Sequence, residues 1–257
     1  MRLAEIAKSV ETLLIDQGHL IRLPIDRTIV YVGDTHGDRD ATERILDRYP
    51  VEEHVLVFLG DTVDRGPDSP GNLSLILETK LHHPSSLYLL MGNHEVWAAA
   101  PFSPADFWDG LSPADRETMT RILSYLPYAA FHPAGVLALH GALPDLPSLD
   151  HIERVTVGSP AWRSMTWGDC HETEAYETSI AWGRPSFSRA DFDRRSRQLE
   201  VQVLVRSHQP FAPTHLYDER CLTIFSSSAY GDGRRRVAIL HPETQVHSAA
   251  DLDLKDI

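Results

Sequence analysis

The side chains best suited to chemistry in this chain are carboxylates, imidazoles and one amide, most of which lie beside or near a glycine. Six of them could bind metal ions: Asp34, His36, Asp61, Asn93, His140 and His208. Carboxylate and amide oxygens together with imidazole nitrogens suit divalent cations. A pair of such cations can act jointly on a phosphate ester. The residue types therefore indicate metal-dependent chemistry on phosphate.

Three of these candidates follow apolar runs that the pattern predicts to be buried strands. The runs 28–32, 54–59 and 87–91 are rich in valine, isoleucine and leucine, and each is bounded by a glycine that permits a tight turn. Asp34, Asp61 and Asn93 are separated by roughly 30 residues each, the length of a strand–helix–strand unit. Neighbouring strands would bring the loops that follow them together at one edge of a sheet.

The positions of the candidates suggest how two ions would share them. Asp34 and His36 lie two residues apart, so both can face one ion, and the two carboxylate oxygens of Asp61 can bridge both ions. Asn93, His140 and His208 would complete the coordination of the second ion. Such a pair, ~3.5–4 Å apart, would hold a water and lower its pKa. We expect two Mn²⁺ ions, with iron or zinc as alternatives, and direct attack by the metal-bridging hydroxide without a phosphoenzyme intermediate.

The ordered set of motifs resembles the phosphoprotein phosphatases, the metal-dependent serine/threonine phosphatases of the metallophosphoesterase superfamily. GDxHG (33–37), GDxVDRG (60–66) and GNHE (92–95) occur in order, without a substitution at a defining position. The similarity extends from about residue 29 to about residue 240 and assigns the same six metal ligands. Composition alone gives only an α/β or α+β class. The resemblance implies the calcineurin-like metallophosphoesterase fold, a two-sheet β-sandwich flanked by helices, in a compact bacterial-like form.

The resemblance also implies roles outside the ligand set. His94 corresponds to the general acid that protonates the leaving group, which contributes roughly 10²–10⁴ in rate. Asp64 corresponds to the partner that orients this histidine and favours its protonated form. The residues implied to contact the substrate phosphate are Arg65, Arg184, Asn93 and Tyr230.

Length and composition indicate one ordinary globular domain over residues 1–257. The apolar fraction is 42% and the charged fraction 24%. We expect an N-terminal helix over 1–16, a core from about 28 to 241, and a short C-terminal tail over 242–257. Two cysteines are too few for a disulfide framework, and no apolar stretch approaches the ~20 residues of a membrane span. These features favour a cytoplasmic protein, which we expect to be a monomer.

The net charge of −13 argues against nucleic acid as a partner, because a phosphate backbone requires a basic surface. It does not argue against phosphoprotein or phosphopeptide substrates, since two divalent ions would make the pocket itself positive.

The remaining elements follow from periodicity and turn residues. Helices are predicted over 38–48, 72–80 and 189–199, and two more begin near Pro104 and Pro113, each preceded by a serine cap candidate. A hairpin is predicted over 128–131 and 136–139. Further strands are predicted over 28–33, 54–59, 86–91, 201–206, 213–217, 221–226 and 235–240.

Three functions are compatible with these motifs. The favoured one is a protein phosphatase, with the choice between phosphoserine/phosphothreonine and phosphotyrosine open. The second is a nucleotide hydrolase resembling the symmetrical diadenosine tetraphosphatases; Asp64 and Glu95 match the protein phosphatase forms instead, while Gly66 and Pro67 lean mildly towards the nucleotide enzymes. The third is a metal-binding interaction module, which is disfavoured because every ligand and the general acid are present.

Overall fold

The computed structural model describes residues 3–172, 183–231 and 235–257. Within these residues the helices are α1 (Leu3–Asp16), α2 (Arg39–Arg48), α3 (Ser69–His82), α4 (Asp106–Asp109), α5 (Pro113–Leu123), α6 (Pro160–Trp167) and α7 (Arg189–Leu199). The strands are β1 (Leu20–Arg22), β2 (Thr28–Val32), β3 (His54–Phe58), β4 (Leu87–Leu89), β5 (Ala129–His132), β6 (Val136–Leu139), β7 (Asp169–Cys170), β8 (Ser186–Phe187), β9 (Val203–Arg206), β10 (His215–Leu216), β11 (Cys221–Thr223), β12 (Arg236–Leu240) and β13 (Asp253–Asp256). None of the described helices is long and apolar enough to cross a membrane.

Two mixed sheets contain most of the strands. The first has the order β1-β5-β6-β9-β11-β10 and the second the order β13-β12-β2-β3-β4. Strands β2, β3 and β4 are parallel to one another, as are β6, β9 and β11. Strands β7 and β8 form a separate parallel pair. The two-sheet fold flanked by helices that the motifs imply is therefore confirmed.

The central strands are buried on both faces. Tyr31 of β2 packs with Val136 and Val205 of the other sheet in the core between the sheets. Val30 of the same strand belongs to the second core, which also contains residues of α1, α2 and α3, such as Ile76. A strand covered on both faces needs an unbroken apolar run instead of an alternating one. This is why the runs before the motifs read as continuously hydrophobic.

Two capped helices follow the first two motifs directly. The Asp38 side chain accepts a hydrogen bond from the backbone N–H of Ala41 at the start of α2. The Asp68 side chain accepts one from Gly71 N–H at the start of α3. Because a side-chain oxygen satisfies one of the free N–H groups, each helix can begin immediately after its loop. The loops are thereby fixed at both ends.

The two sheets meet at the edge where the carboxyl ends of β2, β3, β4, β6 and β9 lie. An isolated bridge pairs Asp34, after β2, with Phe225, after β11. Gly33 N–H donates a hydrogen bond to the Ser226 hydroxyl, and a Cβ at Gly33 would overlap the Ile224 carbonyl. A glycine is required at 33 because the backbones of the two sheets approach so closely.

Most predicted elements are present with shifted ends, and one helix start is wrong. Ser112 caps α5 as expected, accepting from Asp115 N–H. The preceding helix begins at Asp106 with Ala105 at the cap position, so Ser103 and Pro104 do not start it. The predicted strand over 86–91 is shortened to β4, because the chain turns into the third motif.

The C-terminal segment corrects a second expectation. Residues 242–257 are not a simple tail, because β13 pairs antiparallel with β12 and extends the second sheet. Strand β1 and helix α6 were not predicted, and the N-terminal helix is described from Leu3, since residues 1 and 2 lie outside the described part. Short strands such as β13 carry too few apolar residues to be recognised before their partner is known.

Candidate metal centre

All six predicted ligands lie together, buried, at the edge shared by the two sheets. The second sheet contributes Asp34, His36, Asp61 and Asn93, and the first sheet contributes His140 and His208. Within the described part of the chain, two groups of side chains have potential ligand atoms within 4.8 Å of one another: the first is His36, Asp61 and His94, and the second is Asp61, His140 and His208. Asp61 belongs to both groups, as a bridging carboxylate requires.

One oxygen of Asp61 lies at the centre of the cluster. Its Oδ2 is 3.2 Å from His140 Nε2, 3.8 Å from His94 Nε2 and 3.9 Å from His36 Nε2. The Asn93 amide oxygen lies 3.1 Å from His140 Nε2. Oxygen and nitrogen ligands therefore converge on the same small volume.

Two of the histidines are oriented by backbone carbonyl groups. His36 Nδ1 lies 2.8 Å from the Val63 oxygen, and His140 Nδ1 lies 3.1 Å from the Leu59 oxygen. A carbonyl can only accept, so Nδ1 carries a proton in each bond and Nε2 is the ring nitrogen that faces the cluster. This outer hydrogen bond is the usual arrangement for a histidine that binds a metal ion.

The third histidine faces a carboxylate for which the sequence pattern predicts no role. His208 Nε2 faces Asp169 Oδ1 at 3.3 Å, while His208 Nδ1 lies 3.1 Å from His140 Nε2. Arg184 Nη1 lies 3.7 Å from the same Asp169 oxygen and 3.5 Å from His208 Nε2, and its guanidinium is stacked over Trp167. The predicted phosphate-binding arginine is thus beside the ligand cluster.

The buried charges indicate that cations fit this site. Asp34 Oδ2 is buried and has no hydrogen-bond partner, and burial raises the pKa of Asp34 to about 7. Burial would lower the pKa of His140, but the charges of Asp61 and Asp34 raise it to about 9. The cluster therefore attracts positive charge, and two divalent cations would supply the missing partner of Asp34. The donor set suits such ions.

His94 is held by a charged partner and by the segment that carries α4. Its Nδ1 lies 2.6 Å from Asp64 Oδ2, and both side chains are buried. The other oxygen, Asp64 Oδ1, accepts a hydrogen bond from Phe107 N–H at 2.7 Å. The Trp108 indole N–H donates to the His94 carbonyl oxygen. Because Nδ1 is occupied, His94 presents Nε2 to the cluster, which is the orientation that a general acid needs.

The residues that precede α4 also contact Arg65, at the edge of the candidate site. Arg65 Nη1 donates to the Pro104 carbonyl oxygen at 2.9 Å, and its guanidinium lies 5.9 Å from the centre of the Phe102 ring. That ring also packs against His94, 4.4 Å between centroids, and against Trp167, 5.8 Å between centroids. An aromatic pair therefore connects the two predicted phosphate-binding arginines across the site. The sequence predicted a helix here but no contact with the catalytic residues.

Five site residues have backbone angles in the left-handed region. Their φ values are 42° at His36, 51° at Asp61, 66° at Asp64, 70° at Arg65 and 71° at His208. Each costs about 1 kcal/mol or more for a residue other than glycine. The surrounding hydrogen bonds must hold these loops in place.

Glu95 accepts several of the hydrogen bonds that keep these loops in place. Its Oε2 accepts hydrogen bonds from Asp61 N–H at 2.8 Å and from Gly92 N–H at 2.9 Å. Its Oε1 accepts from the N–H and the hydroxyl of Thr62, at 2.7 and 2.9 Å. In return, Asp61 Oδ1 accepts from His94 N–H. One buried carboxylate thus joins the loops of the second and third motifs.

Tyr230 lies on a loop anchored to the first motif. Its hydroxyl is 3.5 Å from His36 Nε2. The N–H and the hydroxyl of Ser228 both donate to Asp38 Oδ2 at 2.8 Å, and Arg235 pairs with the same carboxylate. Asp38 therefore caps α2 and holds the Tyr230 loop, a second role that its cap position alone could not reveal.

Comparison with known proteins gives a family match over most of the chain. The sequence profile of the calcineurin-like phosphoesterases matches residues 27–211. Two proteins provisionally named serine/threonine-protein phosphatases, from Caenorhabditis elegans and Encephalitozoon cuniculi, are 27% and 25% identical over 88% and 89% of this chain. The chain spans 65% and 53% of their lengths. The catalytic subunit of serine/threonine-protein phosphatase 4 of Saccharomyces cerevisiae is 25% identical over 86% of this chain and 75% of its own length.

Solved structures share the fold. A serine/threonine phosphatase of Saccharomyces cerevisiae superposes with a TM-score of 0.82 at 22% identity, covering 98% of this chain and 88% of that chain. A protein described as a candidate diadenosine tetraphosphatase superposes with a TM-score of 0.60 at 21% identity, covering 93% and 98%.

The role of Glu95 generates a prediction. Glu95→Gln keeps the shape of the side chain but places an NH₂ group against backbone N–H donors. We expect a loss of about 2–4 kcal/mol in the free energy of unfolding, because buried donors lose their acceptor, together with at least about tenfold weaker binding of divalent metal. Glu117→Gln, on the exposed surface of α5, is the matched control. Unfolding and metal competition titrations that match the parent protein would contradict the role of Glu95.

Proposed function

The chain belongs to the calcineurin-like phosphoesterase family, and from this premise we propose that it is a protein phosphatase that hydrolyses phosphomonoesters with two divalent cations. The observation that carries the proposal is the buried His94–Asp64 pair, 2.6 Å apart, which faces the six ligands. A proton donor beside a metal centre suits hydrolysis of an ester whose leaving group is a poorly stabilised alkoxide.

Both the cations and the two arginines would bind the phosphate group. When bound, two divalent cations neutralise charge on phosphate oxygens and activate water for attack on phosphorus. Arg65 and Arg184 lie on either side of the Phe102–Trp167 pair, so their guanidinium groups can approach one phosphate from two directions. Planar guanidinium groups match phosphate oxygens in pairs and fix their orientation. Because each guanidinium group already lies over a ring, each arginine loses less conformational entropy when substrate binds.

His94 would protonate the leaving oxygen as its bond to phosphorus breaks. In this role the proton moves from His94 Nε2 to the alkoxide oxygen, and Asp64 accepts the bond from Nδ1–H throughout. Asp64 itself stays fixed by Phe107 N–H. Tyr230 lies beside His36, and Asn93 lies beside His140. From these positions the two side chains would contact a phosphate bound at the ligand cluster.

Support for a protein substrate over a dinucleotide comes from two sources. The relatives that align over most of the chain are named serine/threonine-protein phosphatases. Asp64 and Glu95, which match the protein phosphatase motifs, both make buried contacts that hold the site together. The identity of the metal as Mn²⁺, the monomeric state and the cytoplasmic location stay predictions from the sequence.

The proposal is tested by phosphate release in the presence of Mn²⁺ from phosphoserine, phosphothreonine and phosphotyrosine peptides and from diadenosine tetraphosphate. We expect release from the peptides, and the ranking of the three residue types gives the preference. A protein that cleaves only the dinucleotide would contradict the proposal while leaving the metal centre intact.

The general-acid role predicts a dependence on the leaving group. His94→Asn should lower turnover of a phosphoserine peptide by about 10²–10⁴-fold. The loss should be smaller for p-nitrophenyl phosphate, whose leaving group needs less protonation. Metal content measured on the same samples should be unchanged, because the six ligands remain. Equal losses on the two substrates would overturn the assignment of His94.

A further inference from the structure

A small cavity lies beside the metal centre on the side of Tyr230. Its volume is about 270 Å³. Its lining includes Pro210, Phe211, Ala212, Phe225, Tyr230 and Arg236. The segment 209–214 directly follows the ligand His208, and Phe225 forms the bridge to Asp34. The cavity is therefore built on the loops that carry two metal ligands.

Tyr230 is the wall that separates the cavity from the metal centre. Its ring centroid lies 5.4 Å from that of His36 on one side and 6.3 Å from that of Phe211 on the other. Together these spacings place Phe211 at most about 12 Å from His36. An extended peptide advances about 3.3–3.6 Å per residue, so two to four residues span this distance.

The aromatic wall of the cavity, formed by Phe211, Phe225 and Tyr230, favours an apolar occupant, and the polar part of the lining consists of Gln209, Thr214, Thr223, Ser227 and Arg236. Phe211 is 85% exposed, more than Ile15, Ile25 or Val157, the other exposed large apolar side chains among the described residues. Arg236 is the one charged residue in the described lining, and its Nε lies 3.1 Å from Asp256 Oδ1. An acidic occupant would have to compete with this ion pair. An apolar side chain would instead cover the exposed face of Phe211.

The size of the cavity suits a single side chain. Sites that enclose a whole small molecule have volumes of roughly 300–1,000 Å³, and this cavity lies just below that range. A leucine or phenylalanine side chain fits within this volume.

We propose that this cavity binds an apolar side chain of the peptide substrate, two to four residues from the phosphorylated residue. The inference rests on the proposed protein phosphatase function and extends it to the choice of substrate. The chain would hold the phosphate at the metal centre and one flanking apolar side chain against Phe211, with Tyr230 between the two contacts.

The test uses matched phosphopeptides and two variants. One peptide series carries leucine or phenylalanine two to four residues from the phosphorylated residue, and the control series carries serine at those positions. Phe211→Ala removes the exposed ring, and Ala212→Trp fills the cavity. Ile25→Ala is the matched control, because Ile25 is 62% exposed and precedes β2, at the end of the strand opposite the ligands. Hydrolysis of p-nitrophenyl phosphate reports the metal centre alone.

We expect Phe211→Ala and Ala212→Trp to raise KM for the apolar series by about tenfold, the usual consequence of losing contact with one buried aromatic side chain. KM for the control series and turnover of p-nitrophenyl phosphate should change less than about twofold in these variants, and Ile25→Ala should change neither peptide series by more than this.

Equal effects on both peptide series, or no effect on either, would overturn the inference. A change of oligomeric state in Phe211→Ala, measured by light scattering, would assign the cavity to contact between copies and also overturn it. If the parent protein cleaves p-nitrophenyl phosphate but no phosphopeptide, the proposed function fails and the inference fails with it.

Discussion

Two aspartates buried in one small volume are the constraint on which the rest of this site depends. Asp34 and Asp61 are almost completely buried, and Asp34 has an oxygen without any hydrogen-bond partner. Burying an ionised carboxylate is strongly unfavourable unless a cation or several donors compensate it. The histidines supply part of that compensation, and two divalent cations would supply the rest. Folding of these loops and metal binding are therefore expected to stabilise each other.

The strain in the loops is consistent with this dependence. Four of the nine non-glycine residues with positive φ among the described residues lie in the three motifs, and the hydrogen-bonding groups that hold these loops come from other segments. Glu95 connects the second and third motifs, Asp38 connects the first motif to the Tyr230 loop, and Phe107 N–H fixes Asp64. Each contact joins segments that are far apart in sequence or belong to different motifs. Hydrogen bonds to backbone groups thus fix the side chains of the candidate site, and such bonds tolerate little displacement.

The sequence predicted which side chains would lie together, but it did not predict the contacts that position them. Asp34 and Asp61 could be placed because each follows a buried strand, and parallel strands end at one edge of a sheet. Their convergence with His140 depends on how the two sheets meet, and at the level of sequence only the motif resemblance placed His140 in the same site. Asp169 and Phe107 were missed because their roles come from contacts over 39 and 43 residues, and in Phe107 the backbone makes the contact. Nothing in a side-chain pattern signals a backbone donor.

The dependence of a two-ion site on Asp61 is tested most directly by the number of divalent ions bound per chain. Equilibrium dialysis against Mn²⁺ followed by elemental analysis would be made on the parent protein and on Asp61→Asn. The account predicts two ions in the parent protein. In the variant we expect loss of ions together with activity, because Asp61 is the residue shared by the two clusters of potential ligand atoms. Two ions retained in Asp61→Asn, or a single ion in an active parent protein, would contradict it.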